Sequence, residues 1–182
     1  MDDADAIELI RDAVTGAGGL WADLGAGDGT FTRALATLTG RAGRIYAVDR
    51  DARALNRLKG SLDAPAEVIT VIADLTEPFG LPDVSASSLD GILLANTLHF
   101  IRNADEALAR FVAWLRPHGR LVVVEYDRRK ASRWVPYPTS PDRLNELAIN
   151  AGLTVPIVTA TRDSDYGGHL YVAMAERKSV GD

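Results

Sequence analysis

The sequence predicts an α/β fold, a doubly wound and mostly parallel sheet of seven strands whose last strand runs antiparallel. Short apolar runs alternate with amphipathic segments from residue 20 to residue 126, the alternation that lays helices on both faces of a parallel sheet. Several runs, such as Ile92-Leu93-Leu94-Ala95 and Leu121-Val122-Val123-Val124, are apolar throughout, as strands buried on both faces are. The last two strands are joined only by Arg162-Asp163-Ser164-Asp165-Tyr166-Gly167-Gly168. A turn-rich link of that length forms a hairpin and leaves no room for a crossover helix, so the final strand reverses. The pattern is Rossmann-like.

Ile7, Ile10 and Val14 repeat at helical spacing and predict a first helix that ends at Gly18-Gly19. Strands are expected at 20–24, 44–48, 68–73, 89–96 and 120–126, with helices at 31–38, 51–58 and 104–115 between them. Asn103, with Glu106 three residues on, has capping-box spacing for the last of these helices. An irregular stretch to Thr139 leads into a helix capped by Ser140, with Pro141 at its first position, closing at Gly152. Strands at 155–161 and 169–175 complete the sheet. No repeat or interdomain linker interrupts the 182 residues, so residues 1–182 are expected to form one domain, fraying only at 178–182.

Composition excludes several classes. With 47% hydrophobic and 25% charged residues the chain is neither disordered nor membrane-like, and no apolar run approaches ~18 residues. The net charge of -5 opposes broad electrostatic binding to nucleic acid. The absence of cysteine removes disulfides, thiolate zinc sites and cysteine nucleophiles; no metal ligand set is assigned. The acidic start Met1-Asp2-Asp3-Ala4-Asp5 lacks the positive charge of a signal peptide, which makes cytoplasmic residence the expectation. A monomer or homodimer is expected.

The chemistry gathers at strand ends. Asp23-Leu24-Gly25-Ala26-Gly27-Asp28-Gly29-Thr30 reads as a strand running into a glycine loop that opens a helix, a geometry that lets backbone approach a ligand closely. Carboxylates beside a helix start oppose an anion, so Asp23 suits a ligand with ammonium or sulfonium charge; Asp28 reads as a helix-start residue. Asp49 ends the second strand and Asp74 the third, and in a doubly wound sheet all three acids face one crevice. A carboxylate accepts two hydrogen bonds at once, which at Asp49 matches the adjacent hydroxyls of a ribose; Asp74 is placed to accept from an exocyclic amine of adenine.

These residues resemble the class I S-adenosylmethionine-dependent methyltransferases over nearly the whole chain. The resemblance implies that Asp23, Gly25, Ala26 and Gly27 hold the methionine part of S-adenosylmethionine, that Asp49 with Arg50 binds the ribose, and that Ala73, Asp74 and Leu75 contact adenine. Leu93-Leu94-Ala95-Asn96 resembles the family's fourth-strand segment, with the carbonyls of Ala95 and Asn96 toward the cofactor's amino group. Leu115-Arg116-Pro117-His118-Gly119 resembles the turn before its fifth strand, and the closing hairpin its antiparallel seventh strand.

Two other readings stand beside this one. Gly25-x-Gly27 followed by an acid after the second strand is also a dinucleotide-binding arrangement, although its third glycine falls at Thr30; that would make the chain an NAD(P)-dependent oxidoreductase. A non-catalytic S-adenosylmethionine-binding partner subunit is the third reading, because methyl transfer needs no diagnostic nucleophile. His99, near the fourth strand end, is the leading candidate for substrate contact or general base, with Tyr126 and Glu125 behind it. The Pro-Pro-aromatic of nucleic-acid amino methylation is missing after Asn96, and Lys59, Lys130 and Lys178 are the only lysines, so a small-molecule acceptor is expected. Arg128, Arg129, Lys130 and Arg133 beside Trp134 and Tyr137 form a basic and aromatic cluster, read either as a solvated loop or as a lid for an anionic or aromatic acceptor.

Overall fold

The structure, a computed structural model, describes residues 1–14, 16, 18–127, 130–164 and 168–179. One seven-stranded sheet organises it: β1 (Gly19–Leu24), β2 (Gly43–Asp49), β3 (Glu67–Ile72), β4 (Leu89–Ala95), β5 (Leu115–Asp127), β6 (Ile157–Asp163) and β7 (His169–Glu176), in the order β3-β2-β1-β4-β5-β7-β6. β1 to β5 are mutually parallel, and β7 lies antiparallel between β5 and β6. The expected antiparallel last strand is therefore present, inserted one place inside the edge. β6 consequently runs in the direction of β5, and its end reaches the same rim of the sheet.

Alternation along the strands divides the core. Trp21, Ile45, Leu93, Val122 and Val172 point to one face, where α1 (Asp3–Ile10) and α2 (Thr30–Thr39) cover them. Leu55 and Leu58 of α3 (Ala52–Ser61) pack on Ala47 of β2, which shares the parity of Ile45. Tyr46, Ile92, Leu94, Leu121 and Val123 point the other way, under α4 (Ala104–Val112) and α5 (Pro141–Asn150). Burial of both faces explains why these strands are apolar without alternation.

Element ends shift by a few residues throughout, and three departures from the sequence expectation have a local physical cause. α1 stops at Ile10, where the Ile10 carbonyl accepts from both Ala13 and Val14 N–H; Thr15 and Ala17 lie outside the described residues. The capping box at Asn103 is not formed. Its ψ of 61° does not aim the side chain at the first amides of α4, whereas Ser140, at ψ 165°, accepts from Arg143 N–H at 3.2 Å. The third difference is at β5, which starts at Leu115 instead of after the turn. Leu115 pairs with Leu89, the ladder resumes at Arg120 with Gly91, and the residues between loop out of register with His118 at φ 60°. Pro117 has no N–H to give a ladder there, and the end of β7 braces the loop through His118 N–H to Arg177 O and Arg177 N–H to Gly119 O.

Gly91 faces Trp21 across the β1–β4 ladder, and a Cβ on it would sit 2.2 Å from the indole. Gly91→Ala is expected to lose about 1–3 kcal/mol of stability by overpacking, measured by urea denaturation. The loss should shrink in a Trp21→Leu background; an equal loss there would show that the indole is not the obstacle.

Candidate active site

Neighbouring parallel strands whose following segments leave on opposite faces open a crevice above their ends. Here those strands are β1 and β4. The turn after β1 begins at Gly25, which has φ 89° and whose added Cβ would fall 2.2 Å from Thr97 Oγ1 on the turn after β4. Only glycine allows the two turns to approach that closely. Gly25 and Asn96 stand where two cavities meet, one of about 340 Å³ and one of about 250 Å³.

The smaller cavity is walled by Asp49, Arg50, Ala73, Asp74 and Leu75, with Thr97 and Phe100 opposite. Asp49 is itself part of the loop's scaffold: its Oδ2 accepts from Gly27 N–H and its Oδ1 from Asp51 N–H, each at 2.8 Å. Each oxygen retains a further acceptor site. Asp74 Oδ1 accepts from both the hydroxyl and the N–H of Thr76, which hold its pKa below the usual carboxylate range. Its Oδ2 lies 3.9 Å from Arg50. Gly27 has nothing within 4 Å of an added Cβ, so the loop presents bare backbone to open space.

The larger cavity holds Asp23, Ala26, Phe31, Ala95, Tyr126 and Leu170 among its walls. Asp23 is 1% exposed and accepts from Thr32 Oγ1–H at 2.6 Å. Burial pushes its pKa up to about 7, against the Thr32 hydrogen bond and with a smaller push from Asp49. A carboxylate so placed is stabilised by any cation entering the cavity. Asn96 has a left-handed backbone, φ 53°, and a buried Oδ1 without a hydrogen-bond partner, a combination that marks functional sites.

The cofactor positions expected from the sequence thus line the two cavities, Gly27 excepted, while the catalytic candidates separate. Tyr126 lines the larger cavity. His99 lines neither cavity and is 2% exposed; its Nδ1 lies 2.7 Å from Glu125 Oε2. Asp28 does not start the helix by capping it. Gly29 is the cap residue, and Asp28 pairs with Arg57 at 2.7 Å. In the basic segment, Arg128 and Arg129 lie outside the described residues, as do Asp165, Tyr166 and Gly167 of the hairpin. Arg133 stacks on Trp134 and Arg102 donates to Tyr137 Oη, but Lys130, Arg133, Trp134 and Tyr137 line neither cavity.

Sequence reasoning missed Arg162, Asp163 and Ser164, which wall the larger cavity from the β6 end. The signal was present: a reversed β7 inside the edge makes β6 parallel to β5, so its carboxyl end faces the crevice. Thr97, Phe100 and Ile101 carried no comparable signal. Among the described residues no group of three or more His, Asp or Glu side chains could hold a metal ion, and no helix is long and apolar enough to cross a membrane.

Residues 22–123, more than half of the chain, match the family described as methyltransferase domain. The ubiquinone/menaquinone biosynthesis C-methyltransferase UbiE of Hahella chejuensis (strain KCTC 2396) is 24% identical over 157 residues, 85% of this chain and 58% of that protein. The chain therefore spans little more than half the length of this curated relative. Among solved structures, the Burkholderia thailandensis 1,6-didemethyltoxoflavin-N1-methyltransferase, bound to 1,6-didemethyltoxoflavin and S-adenosylhomocysteine, has a TM-score of 0.74 at 22% identity over 97% of this chain and 78% of its own. A SAM-dependent methyltransferase from Aquifex aeolicus has a TM-score of 0.71 at 18% identity over 93% and 89%. At these identities the structural likeness is one of fold.

Because the pKa of Asp23 is raised in the folded state, the native chain keeps a proton that the unfolded chain loses. Stability from this group is full below about pH 4 and declines as pH rises toward 7. The stability of the wild type relative to Asp23→Asn is expected to fall between pH 5 and 7 by up to about 1.4 kcal/mol per pH unit and to level off above pH 8. Denaturant titrations of both proteins across that range check it; a pH-independent difference would contradict the buried-carboxylate assignment.

Proposed function

The chain belongs to the class I S-adenosylmethionine-dependent methyltransferases, and from that premise we propose that residues 1–182 act as one domain that methylates a small-molecule acceptor. The observation that carries the proposal is the set of acids closing β1, β2 and β3 around a crevice that divides at Gly25 and Asn96 into two cavities. The residues fit the cofactor. The smaller cavity offers Asp49, with acceptor capacity left on both oxygens, and Asp74 Oδ2; these suit ribose hydroxyls and an adenine amine. The larger offers the buried carboxylate of Asp23 to an ammonium group.

When bound, S-adenosylmethionine supplies a methyl group already activated by the sulfonium charge, so that the acceptor's electron pair forms the new bond as the carbon–sulfur pair returns to sulfur. The chain's own part is alignment and exclusion of water, and alignment alone is worth about 7–11 kcal/mol. Phe31, Tyr126 and Leu170 give the larger cavity apolar walls, and Arg162 and Ser164 a polar rim, a lining suited to a planar or aromatic acceptor with a polar edge. UbiE is named for ubiquinone/menaquinone biosynthesis and the Burkholderia enzyme holds 1,6-didemethyltoxoflavin; both names are consistent with that acceptor class. Of the two catalytic candidates, Tyr126 lines the larger cavity, which supports a contact with the acceptor, whereas His99 lines neither cavity and its ring pairs with Glu125. The antiparallel β7 between β5 and β6 departs from the dinucleotide-binding strand order 3-2-1-4-5-6, which weighs against an oxidoreductase.

Calorimetric titration with S-adenosylhomocysteine and with NAD separates these readings. The former should bind and the latter should not; the reverse would overturn the proposal. Asp49→Ala is expected to weaken S-adenosylhomocysteine binding by about 1.5–3 kcal/mol through lost charged hydrogen bonds, and unchanged affinity would refute its role. Affinity should also fall as pH drops from 8 to 6 while Asp23 gains its proton, a dependence that Asp23→Asn should flatten. Conversion of S-adenosylmethionine to S-adenosylhomocysteine in the presence of hydroquinone or 1,6-didemethyltoxoflavin acceptors distinguishes an enzyme from a binding module.

A further inference from the structure

Glu125 and His99 are nearly absent from the molecular surface, at 0% and 2% exposure, yet neither lines a cavity. A carboxylate buried on the α4–α5 face of a sheet costs several kcal/mol unless its oxygens are satisfied. Here one residue satisfies both. Glu125 Oε2 is 2.7 Å from His99 Nδ1, and Oε1 accepts from His99 N–H at 3.1 Å. A carboxylate only accepts, so Nδ1 carries the hydrogen. The second of these bonds fixes backbone, because His99 is the middle residue of the 3-10 turn Leu98–Phe100.

That turn is the wall of the crevice. Asn96 and Thr97 precede it, Phe100 and Ile101 end it, and all four line the smaller cavity. Its other side is tied down by Tyr137 N–H donating to His99 O at 2.9 Å, and its ring lies 6.0 Å from that of Tyr126 in the larger cavity. Directly across the ladder from Glu125, Tyr171 donates to Thr139 O at 2.8 Å, so the segment that holds the turn from outside is anchored to the same pair of strands. We infer that Glu125 is a positioning residue: its two-point grip on His99 sets the backbone of 96–101, and through that backbone the affinity of the cleft for its cofactor. The inference rests on the cofactor reading of the crevice given above.

The pair offers a test that separates positioning from stability. Replacing both partners with apolar residues removes the buried charge together with its partner, which leaves stability unchanged or raised in comparable buried pairs. The Glu125→Met/His99→Leu double variant, which leaves only the residue-99 N–H without its acceptor, is therefore expected to lower Tm by no more than about 10 °C, to exchange the amides of 97–101 at least about tenfold faster by hydrogen–deuterium exchange, and to bind S-adenosylhomocysteine at least about tenfold more weakly by calorimetry. Glu125→Gln keeps an oxygen for His99 N–H and, with the imidazole hydrogen moved to Nε2, an amide N–H for Nδ1 to accept, so it should stay within about threefold of wild type in both readouts, whereas Glu125→Asp, one methylene shorter, should move toward the double variant. Unchanged exchange or unchanged affinity in the double variant overturns the inference. Should that variant fail to fold, wild-type values in Glu125→Asp overturn it instead. A wild-type chain that does not bind S-adenosylhomocysteine refutes the cofactor reading, while amide exchange of 97–101 still decides whether Glu125 holds the turn.

Discussion

Everything at the site depends on the divergence of the chain above β1 and β4. These strands are parallel neighbours, yet α2 leaves β1 for one face of the sheet and α4 follows β4 on the other. Among the described residues no connection crosses the gap between their ends, and each strand is held on both sides by a partner. The apolar core determines where the opening lies. Trp21 and Leu93 on one face, and Ala22, Ile92 and Leu94 on the other, fix the register that brings Gly25 beside Thr97.

Into that opening the fold places groups that an apolar core would otherwise reject. Asp23, Glu125 and His99 all sit below the surface, and each acid meets the cost of desolvation differently. Asp23 has one hydroxyl partner and a raised pKa, leaving it responsive to whatever cation arrives. Glu125 has a donor on each oxygen, both from one residue, and lines neither cavity. An acid that faces the cavity suits binding; one paired beneath it suits holding a turn.

The sheet and the three acids at its rim were legible because both are written as interruptions of apolar runs. A carboxylate that ends such a run has few places to go except the strand's rim, and this located Asp23, Asp49 and Asp74. Caps and turns were less legible. Asn103 and Ser140 look alike in sequence, but only Ser140 has the extended ψ that turns its oxygen toward the helix amides. His99 read as a base because it follows a strand end closely. The tightness of the 3-10 turn rotates it inward and leaves Phe100, its neighbour, 52% exposed. Such orientation is decided by Glu125, 26 residues away, and no local pattern encodes it.

The close approach of Gly25 to Thr97 also bears on how sequences of this kind can drift. With 2.2 Å between the hydroxyl and the place a Cβ would occupy, the two positions share one volume. A methyl group at 25 demands a smaller residue at 97, and the left-handed φ at 25 taxes even that exchange. Substitution at either site is therefore filtered by the occupant of the other, so the glycine at which the two cavities meet is constrained by packing alone.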